Sequence, residues 1–256
     1  MCTILLAWRC LDDAAYVLAA NRDELLARPA APPGPLSEAP PIYGGRDLLA
    51  GGTWLAVTPG GRLAAVTNRR SGGADEAGRD PTRRSRGELP LLALRGAGGR
   101  QAINGLHPRD YNPFNLLIID SDTAVVGEAA GGAGMHAVEL GPGAHVLCVH
   151  DVDDPAHAKE RRLLARLEDA IARHPTAAQC AQAMTEILRD HSTAGDPRDA
   201  ACIHGQEYGT VSASMVILGR DGRVRYRQAP GRPCVTRFED VPPFDAVLPV
   251  GDVPLR

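Results

Sequence analysis

Short apolar runs separated by glycine-rich or aspartate-containing turns make up most of this chain, and no other sequence feature constrains its fold more strongly. Short apolar runs bounded by turn residues are typical of β-strands. Two longer segments, both within residues 154–190, instead repeat apolar residues at helical spacing. The pattern therefore predicts antiparallel sheets covered by helices, an α+β fold.

The predicted strands lie on both sides of the helical segments. Residues 51–58 and 62–68 flank Pro59-Gly60-Gly61 and predict a hairpin, because glycine supplies the positive φ of a tight turn. Residues 212–218 and 223–228 predict a second hairpin. The remaining predicted strands are residues 3–7, 16–20, 114–120, 124–129, 135–140 and 144–149.

Residues that start helices or interrupt regular structure predict the remaining helices and loops. Asp154-Pro155 predicts the start of one helix, and Thr176 precedes a second. Residues 88–95 are a weaker helix candidate. The proline-rich residues 28–41 predict an ordered or semi-rigid surface loop, and residues 69–86 predict a flexible loop. Since no repeat or linker divides the chain, we expect a single domain over residues 1–256.

Composition excludes several classes of protein. The 256 residues are 44% apolar and 23% charged, which excludes a disordered or fibrous chain. A net charge of −3 provides no electrostatic basis for binding nucleic acid. The N-terminal apolar run is too short for a signal peptide or a membrane span, so we expect a cytoplasmic protein. The oligomeric state cannot be inferred from the sequence.

The six cysteines include no C-x-x-C pair, so we expect neither a metal site nor a disulfide framework. Most of them are predicted to be small core residues. Cys2 is different, because removal of the initiator methionine would leave it with a free α-amine. That amine, with an ordinary pKa of about 7.7–8.0, can act as a general base for the nucleophilic thiol.

Polar residues at two strand ends could serve such a nucleophile. Asn21 and Asp23 share one face of the predicted strand, and Arg22 points the other way. Asp23 could orient the Cys2 amine. Asn68 ends the hairpin predicted over residues 51–68, where its amide could stabilise an oxyanion.

The chain resembles the NRDE-motif family, also called the transport-and-Golgi-organisation 2 homologues, over nearly its whole length. The matching motifs are Met1-Cys2, Ala19-Ala20-Asn21-Arg22-Asp23-Glu24, Arg28-Pro29, Gly51-Gly52-Thr53-Trp54-Leu55, Leu63-Ala64-Ala65-Val66-Thr67-Asn68, Arg86-Gly87-Glu88-Leu89, Tyr111-Asn112-Pro113-Phe114-Asn115-Leu116 and Tyr208-Gly209-Thr210. Met-Cys-Thr and Asn-Arg-Asp also resemble the bile-salt and penicillin V hydrolase type of cysteine amidase.

The resemblance implies an N-terminal-nucleophile (Ntn) hydrolase-like αββα sandwich of two antiparallel sheets covered by helices. It assigns Cys2 as nucleophile, Asp23 as the carboxylate near its amine, and Asn68 as an oxyanion donor. Arg22 corresponds to the arginine near the thiol. The expected substrate-binding residues are Asn21, Trp54 and Arg69.

Two positions depart from the family pattern. His150, after Cys148, stands where the family has asparagine, and Val211 stands where it has arginine. His150 could replace the amide donor, carry a proton, or only fill a strand end. These changes suggest an altered substrate or a specialised role.

Two functions remain open, and an inactive scaffold is a third possibility. The first is an Ntn-type cysteine amidohydrolase or acyltransferase that acts on a small amide through a Cys2 thioester without a cofactor. The arginine- and alanine-rich composition of the chain resembles that of actinobacterial proteins. Natural-product biosynthesis is therefore one setting for this first function. The alternative is a non-catalytic carrier that handles haem or lipid, in which Cys2 or a histidine could ligate haem iron.

Overall fold

The structure, a computed structural model, describes residues 2–70, 80–96, 98–132, 134–193 and 195–242. Its elements in chain order are β1 (Cys2–Trp8), β2 (Ala14–Leu25), β3 (Ala30–Glu38), β4 (Pro41–Asp47), β5 (Leu55–Val57), β6 (Leu63–Asn68), α1 (Leu89–Arg95), α2 (Gly99–Asn104), β7 (Phe114–Ile119), β8 (Ala124–Ala129), β9 (His136–Glu139), β10 (Gly143–Leu147), α3 (Ala158–Arg173), α4 (Ala177–Leu188), β11 (Tyr208–Gly219), β12 (Val224–Ala229) and β13 (Glu239–Asp240). None of the helices in these ranges is long and apolar enough to cross a membrane.

The chain forms two compact units. The first holds residues 2–27 and 140–241, and the second holds residues 28–139 with Pro242. Each unit contains one antiparallel sheet with its own pair of helices. The prediction of a single domain stays a prediction.

The first unit is a six-stranded sheet in the order β10-β1-β2-β11-β12-β13. One face of its strands packs against α3 and α4. Leu5, Ala19 and Met215 from the strands share a buried core with Leu167 and Met184 from the helices. These strand residues alternate with residues on the other face, as the two-residue period of a strand requires.

The second unit is a seven-stranded sheet in the order β3-β4-β5-β6-β7-β8-β9. Its core joins strand residues such as Val66 and Leu116 to Leu89 and Leu94 of α1 and Ile103 of α2. The predicted hairpin is confirmed as β5 and β6, joined by a turn in which Gly61 has a φ of 80° and donates its N–H to the Thr58 carbonyl.

The prediction of a surface loop over residues 28–41 is wrong. Residues 30–38 form β3, which pairs with β4 at the edge of the second sheet, with irregularities in the register. Proline cannot donate a ladder hydrogen bond, but an edge strand leaves one side of its backbone unpaired and tolerates this loss. Residues 71–79 of the predicted flexible loop lie outside the described residues.

Two further strand boundaries differ from the sequence predictions. β2 continues through the Asn-Arg-Asp-Glu motif to Leu25, because β1 pairs with it as far as Arg22 and β11 pairs with it as far as Leu25. β10 ends at Leu147, two residues before the predicted end. Cys148 and His150 therefore lie in a bend beyond the strand, and strand alternation does not apply to them.

Gly52 and Gly87 bring two of the sequence motifs into contact. The N–H of Thr53 donates to the Gly87 carbonyl at 2.8 Å. A Cβ atom on Gly52 would overlap the Gly87 backbone. Glycine is therefore required at position 52 by the close approach of two backbone segments.

Gly52→Ala is expected to destabilise the protein by about 2 kcal/mol, because the new methyl group forces the two backbone segments apart. A chain of this size should lose several degrees in Tm in a thermal melt. Gly60→Ala is the matched control, since a Cβ atom at Gly60 would meet no atom within 4 Å. Equal melting temperatures for the two variants would contradict this explanation.

Candidate active site

The register of β1 and β2 places Cys2 beside Arg22. The two residues are direct partners across the antiparallel pair, so their side chains leave the same face of the first sheet. Ser212 of β11 is the partner of Arg22 on the other side and extends the row. Cys2 is partly exposed, whereas Arg22 and Ser212 are buried.

Asp23 lies on the opposite face, which α3 and α4 cover. Its neighbour in the register is Thr210 of β11, whose Oγ1 donates to Asp23 Oδ1 at 2.6 Å. The Thr210 hydroxyl in turn accepts the backbone N–H of Ile203 at 2.9 Å. Tyr208 Oη also donates to the Asp23 carbonyl at 2.8 Å. Asp23 is therefore fixed through both its side chain and its backbone.

The surroundings of the Cys2 thiol raise its pKa. Burial raises its pKa above the ordinary value, and the Asp23 carboxylate acts in the same direction. The backbone N–H of Asp23 and the guanidinium of Arg22 lower the pKa without outweighing burial. A thiol in this environment needs a nearby base before it can attack a carbonyl.

Burial also raises the pKa of the Asp23 carboxyl, and the charge of Lys159 and the hydrogen bond from Thr210 counteract part of this effect. Lys159 and Glu160, in the first turn of α3, are only 7% and 1% exposed. Sequence reasoning missed both residues as candidates for the site. A signal was present: they precede Leu163 by four and three residues on the core-facing side of the helix, and Lys159 is the only lysine of the chain.

Asn21 has its amide group engaged in the fold. Its Nδ2 donates to the carbonyl of Leu188 at 2.9 Å and to that of Ala201 at 2.7 Å. The side chain is fully buried and links β2 to the end of α4. Its assignment as a substrate-binding residue stays a prediction.

His150 is anchored to α3. Its Nδ1 lies 2.7 Å from Glu160 Oε1, and its ring stacks on His157 with centroids 3.3 Å apart. Cys148 is buried beside the same turn, and burial raises its pKa to about 12, with the charge of Lys159 opposing the shift. The histidine that departs from the family pattern thus contacts the first turn of α3, where Lys159 and Glu160 are buried.

Val211 occupies an irregular position in β11. The register with β2 shifts between Thr210 and Ser212, so two residues of β11 span one step of β2 and Val211 is the extra residue. A bulge re-aims the side chains on either side of it. Here it places Thr210 on the face of Asp23 and Ser212 on the face of Arg22.

The other predicted residues belong to the second unit. Asn68 ends β6 opposite Phe114 and is partly exposed. Arg69 follows it and donates from Nη1 to Asn115 Oδ1 at 2.9 Å. The ring of Trp54 packs against Gly45, where a Cβ atom would collide with it. A joint site of Cys2 with Asn68, Trp54 and Arg69 stays a prediction.

A groove between α3 and α4 lies apart from all of these residues. Arg166, Arg173, Gln182 and Ile187 are among the side chains that line it. None of the lining residues is a predicted site residue, so the groove gives no support to the proposed chemistry.

The fold has a clear counterpart among solved structures. The Caenorhabditis elegans orthologue of N-acylethanolamine-hydrolysing acid amidase superposes with a TM-score of 0.58 at 13% identity, covering 84% of this chain and 92% of the other. At this identity the likeness shows the fold alone. The predicted α+β, Ntn-hydrolase-like fold class is confirmed.

Sequence comparison identifies the family. A bovine transport and Golgi organization protein 2 homolog is 26% identical over 242 residues, covering 83% of this chain and 85% of the relative. A mouse homolog is 32% identical over 116 residues, 42% of this chain and 40% of the relative. The Transport and Golgi organisation 2 family model matches residues 1–229. The chain therefore belongs to the Transport and Golgi organisation 2 family, as its motifs predicted.

Proposed function

We propose that this protein is an Ntn-type cysteine amidohydrolase or acyltransferase that acts on a small amide. The observation that carries the proposal is the β1–β2–β11 register, which sets Cys2 beside Arg22 and fixes Asp23 through Thr210. The fold shared with an amidase supports the same chemistry.

The reaction requires a free amine on Cys2, and therefore a chain from which Met1 has been removed. The amine takes the thiol proton, and the thiolate attacks the amide carbonyl. Collapse of the tetrahedral intermediate breaks the C–N bond, and the leaving amine takes the proton from the Cys2 ammonium group. An acyl thioester on Cys2 remains. Attack by water gives a carboxylic acid, and attack by an acceptor amine gives a new amide.

Electrostatics favours this division of roles. Since burial raises the pKa of the Cys2 thiol, an adjacent base is needed to remove its proton. Removal of Met1 would supply one, the α-amine of Cys2 itself. Arg22 stabilises the thiolate once it forms. Asp23 would orient the amine and stabilise its protonated form. Asn68 is the proposed amide donor to the oxyanion.

His150 and Val211 bear on which substrate is used. His150, held by Glu160, presents an imidazole where family members have an amide. With valine in place of the family's arginine, position 211 in the bulge of β11 carries no guanidinium group. We propose that these two changes select a less anionic substrate than an arginine at position 211 would favour.

The alternative is a non-catalytic haem- or lipid-handling carrier, and the absence of the family arginine at Val211 favours a third possibility, an inactive scaffold. A haem titration separates the two functions. A Soret shift that Cys2→Ala abolishes supports the carrier, and the absence of binding at micromolar haem argues against it. A cytoplasmic location stays a prediction under both.

The purified native chain is expected to lack Met1 and to gain one acyl group on Cys2 when incubated with a panel of N-acyl amides. Intact-mass and peptide mass spectrometry measure both changes. Cys2→Ala should gain no acyl group, and Cys10→Ala, which removes another partly buried thiol, should behave as the native chain does. Retention of Met1 would eliminate the mechanism, because the amine would be blocked.

Arg22→Gln is expected to move the pH profile of Cys2 alkylation by iodoacetamide to higher pH, since the guanidinium lowers the thiol pKa. The shift is read from the rate of carbamidomethylation of the Cys2 peptide at several pH values. Arg223→Gln is the control, because its side chain is 81% exposed at the far end of the β11–β12 hairpin. An unchanged profile in Arg22→Gln would remove Arg22 from the site.

Asp23→Asn is expected to gain stability relative to the native chain as the pH rises from 4 to 8. The folded state raises the Asp23 pKa above its unfolded value of about 3.9, so ionisation costs folding free energy that is absent below that value. Urea unfolding at several pH values gives the difference. A difference that is constant or falls with pH would contradict the assignment of Asp23 as a buried carboxyl of raised pKa.

A further inference from the structure

Four side chains outside the candidate active site converge in the first unit. His191, Cys202, His204 and Cys234 each offer one ligand atom, and all four atoms lie within 4.8 Å of one another. Cys202 Sγ is 3.6 Å from Cys234 Sγ. His204 Nε2 is 3.3 Å from Cys234 Sγ and 3.8 Å from Cys202 Sγ.

These separations fit a tetrahedral metal ion. Zinc bonds of about 2.3 Å to sulfur and 2.0–2.1 Å to nitrogen place neighbouring ligand atoms roughly 3.3–3.8 Å apart in a tetrahedron. Two thiolates and two imidazoles are also a donor set that zinc prefers. The cluster therefore needs only small side-chain movements to enclose an ion.

The backbone fixes one ring nitrogen of His191. Its Nδ1 lies 3.0 Å from the backbone carbonyl of Cys202, and a proton on Nδ1 donated to that carbonyl leaves the Nε2 lone pair available. Metal-bound histidines usually have their second nitrogen fixed in this way. The rings of His191 and His204 meet edge to face, with centroids 4.6 Å apart at 84°.

We infer that His191, Cys202, His204 and Cys234 form a structural zinc site. Binding of Zn²⁺ displaces one proton from each thiol to solvent, so the resulting centre is formally neutral. All four coordination positions are filled by the protein, which is the arrangement of a structural site rather than a catalytic one. The inference does not depend on the reaction proposed for Cys2.

The site would join three separate segments of the unit. His191 follows α4, Cys202 and His204 precede β11, and Cys234 follows β12. Two hydrogen bonds already connect these segments: Cys202 N–H donates to the Asp190 carbonyl at 2.9 Å, and Arg189 Nε donates to the Pro233 carbonyl at 2.8 Å. The metal would hold them in the same arrangement.

The site also borders the group that fixes Asp23. Ile203 lies between Cys202 and His204 in the chain. Its N–H donates to Thr210 Oγ1, and its carbonyl accepts the backbone N–H of Thr210. Thr210 in turn binds Asp23. Zinc would therefore hold the backbone that positions Thr210.

Sequence spacing gave no indication of this site and led to the expectation that no metal binds. Zinc motifs are recognised from pairs of ligands placed close together, and here only Cys202 and His204 are near each other in the chain. Pairing of β11 with β12 and packing of α4 bring the other two ligands to them. The two thiols are free in this structure, and a Cys202–Cys234 disulfide is the competing arrangement.

The full chain, expressed with zinc and purified without chelator or added oxidant, is expected to carry about one zinc per molecule by elemental analysis. Native mass spectrometry should show one Zn²⁺ in place of two protons. A chelator should lower the Tm by several degrees, and added zinc should restore it. Replacement by Co²⁺ should give the absorption bands of a tetrahedral site with thiolate ligands.

Cys234→Ser and His204→Ala are the informative variants, because both side chains are at least partly exposed and the chain should still fold. Each should lower zinc content at least fivefold and change the cobalt spectrum. Cys10→Ser and His107→Ala are the matched controls and should retain full zinc content. A metal-free native chain that takes up no cobalt, a Cys202–Cys234 disulfide in the freshly purified protein, or undiminished zinc in both informative variants would overturn the inference.

Discussion

The pairing of β2 with β1 on one side and with β11 on the other is the constraint on which the candidate site depends. It places Cys2 and Arg22 on one face of the first sheet and Asp23 and Thr210 on the other. A shift of one residue in either register would exchange these faces. The bulge at Val211 adjusts the second register locally, so that Thr210 and Ser212 face opposite sides while each is paired with β2. Backbone hydrogen bonds thus fix the positions of the proposed site residues within the first sheet.

Charged groups buried beneath this sheet distinguish the first unit from an ordinary strand-and-helix core. Asp23, Lys159 and Glu160 are each at most 7% exposed, and His150 is paired with Glu160 at the same turn of α3. Apolar residues of similar size would often be more stable in such positions. Buried groups of perturbed pKa are concentrated at functional sites. Here burial raises the pKa of the Asp23 carboxyl, one residue away from the register partner of Cys2.

The sequence predicted the repeating parts of this structure better than its long-range contacts. Alternation and turn residues identified the β5–β6 hairpin, and helical spacing identified α3 and α4. The family motifs identified Cys2, Arg22 and Asp23, whose positions in the register support the proposal. Local patterns could not reveal that Asn21 binds the end of α4, or that Cys202 and Cys234 meet, because those contacts depend on segments distant in the chain. Residues 28–41 were mistaken for a loop because their prolines are read as strand breakers, although an edge strand accepts them.

The proline-rich strand β3 has a consequence for how this protein behaves at high concentration. An exposed edge strand with regular N–H and C=O groups is a template on which another chain can add a strand and aggregate. Pro32, Pro33 and Pro35 remove three N–H donors from β3, and the irregular register with β4 disturbs the spacing of the others. The same residues that obscured a strand in the sequence thus protect the outer edge of the seven-stranded sheet from intermolecular pairing.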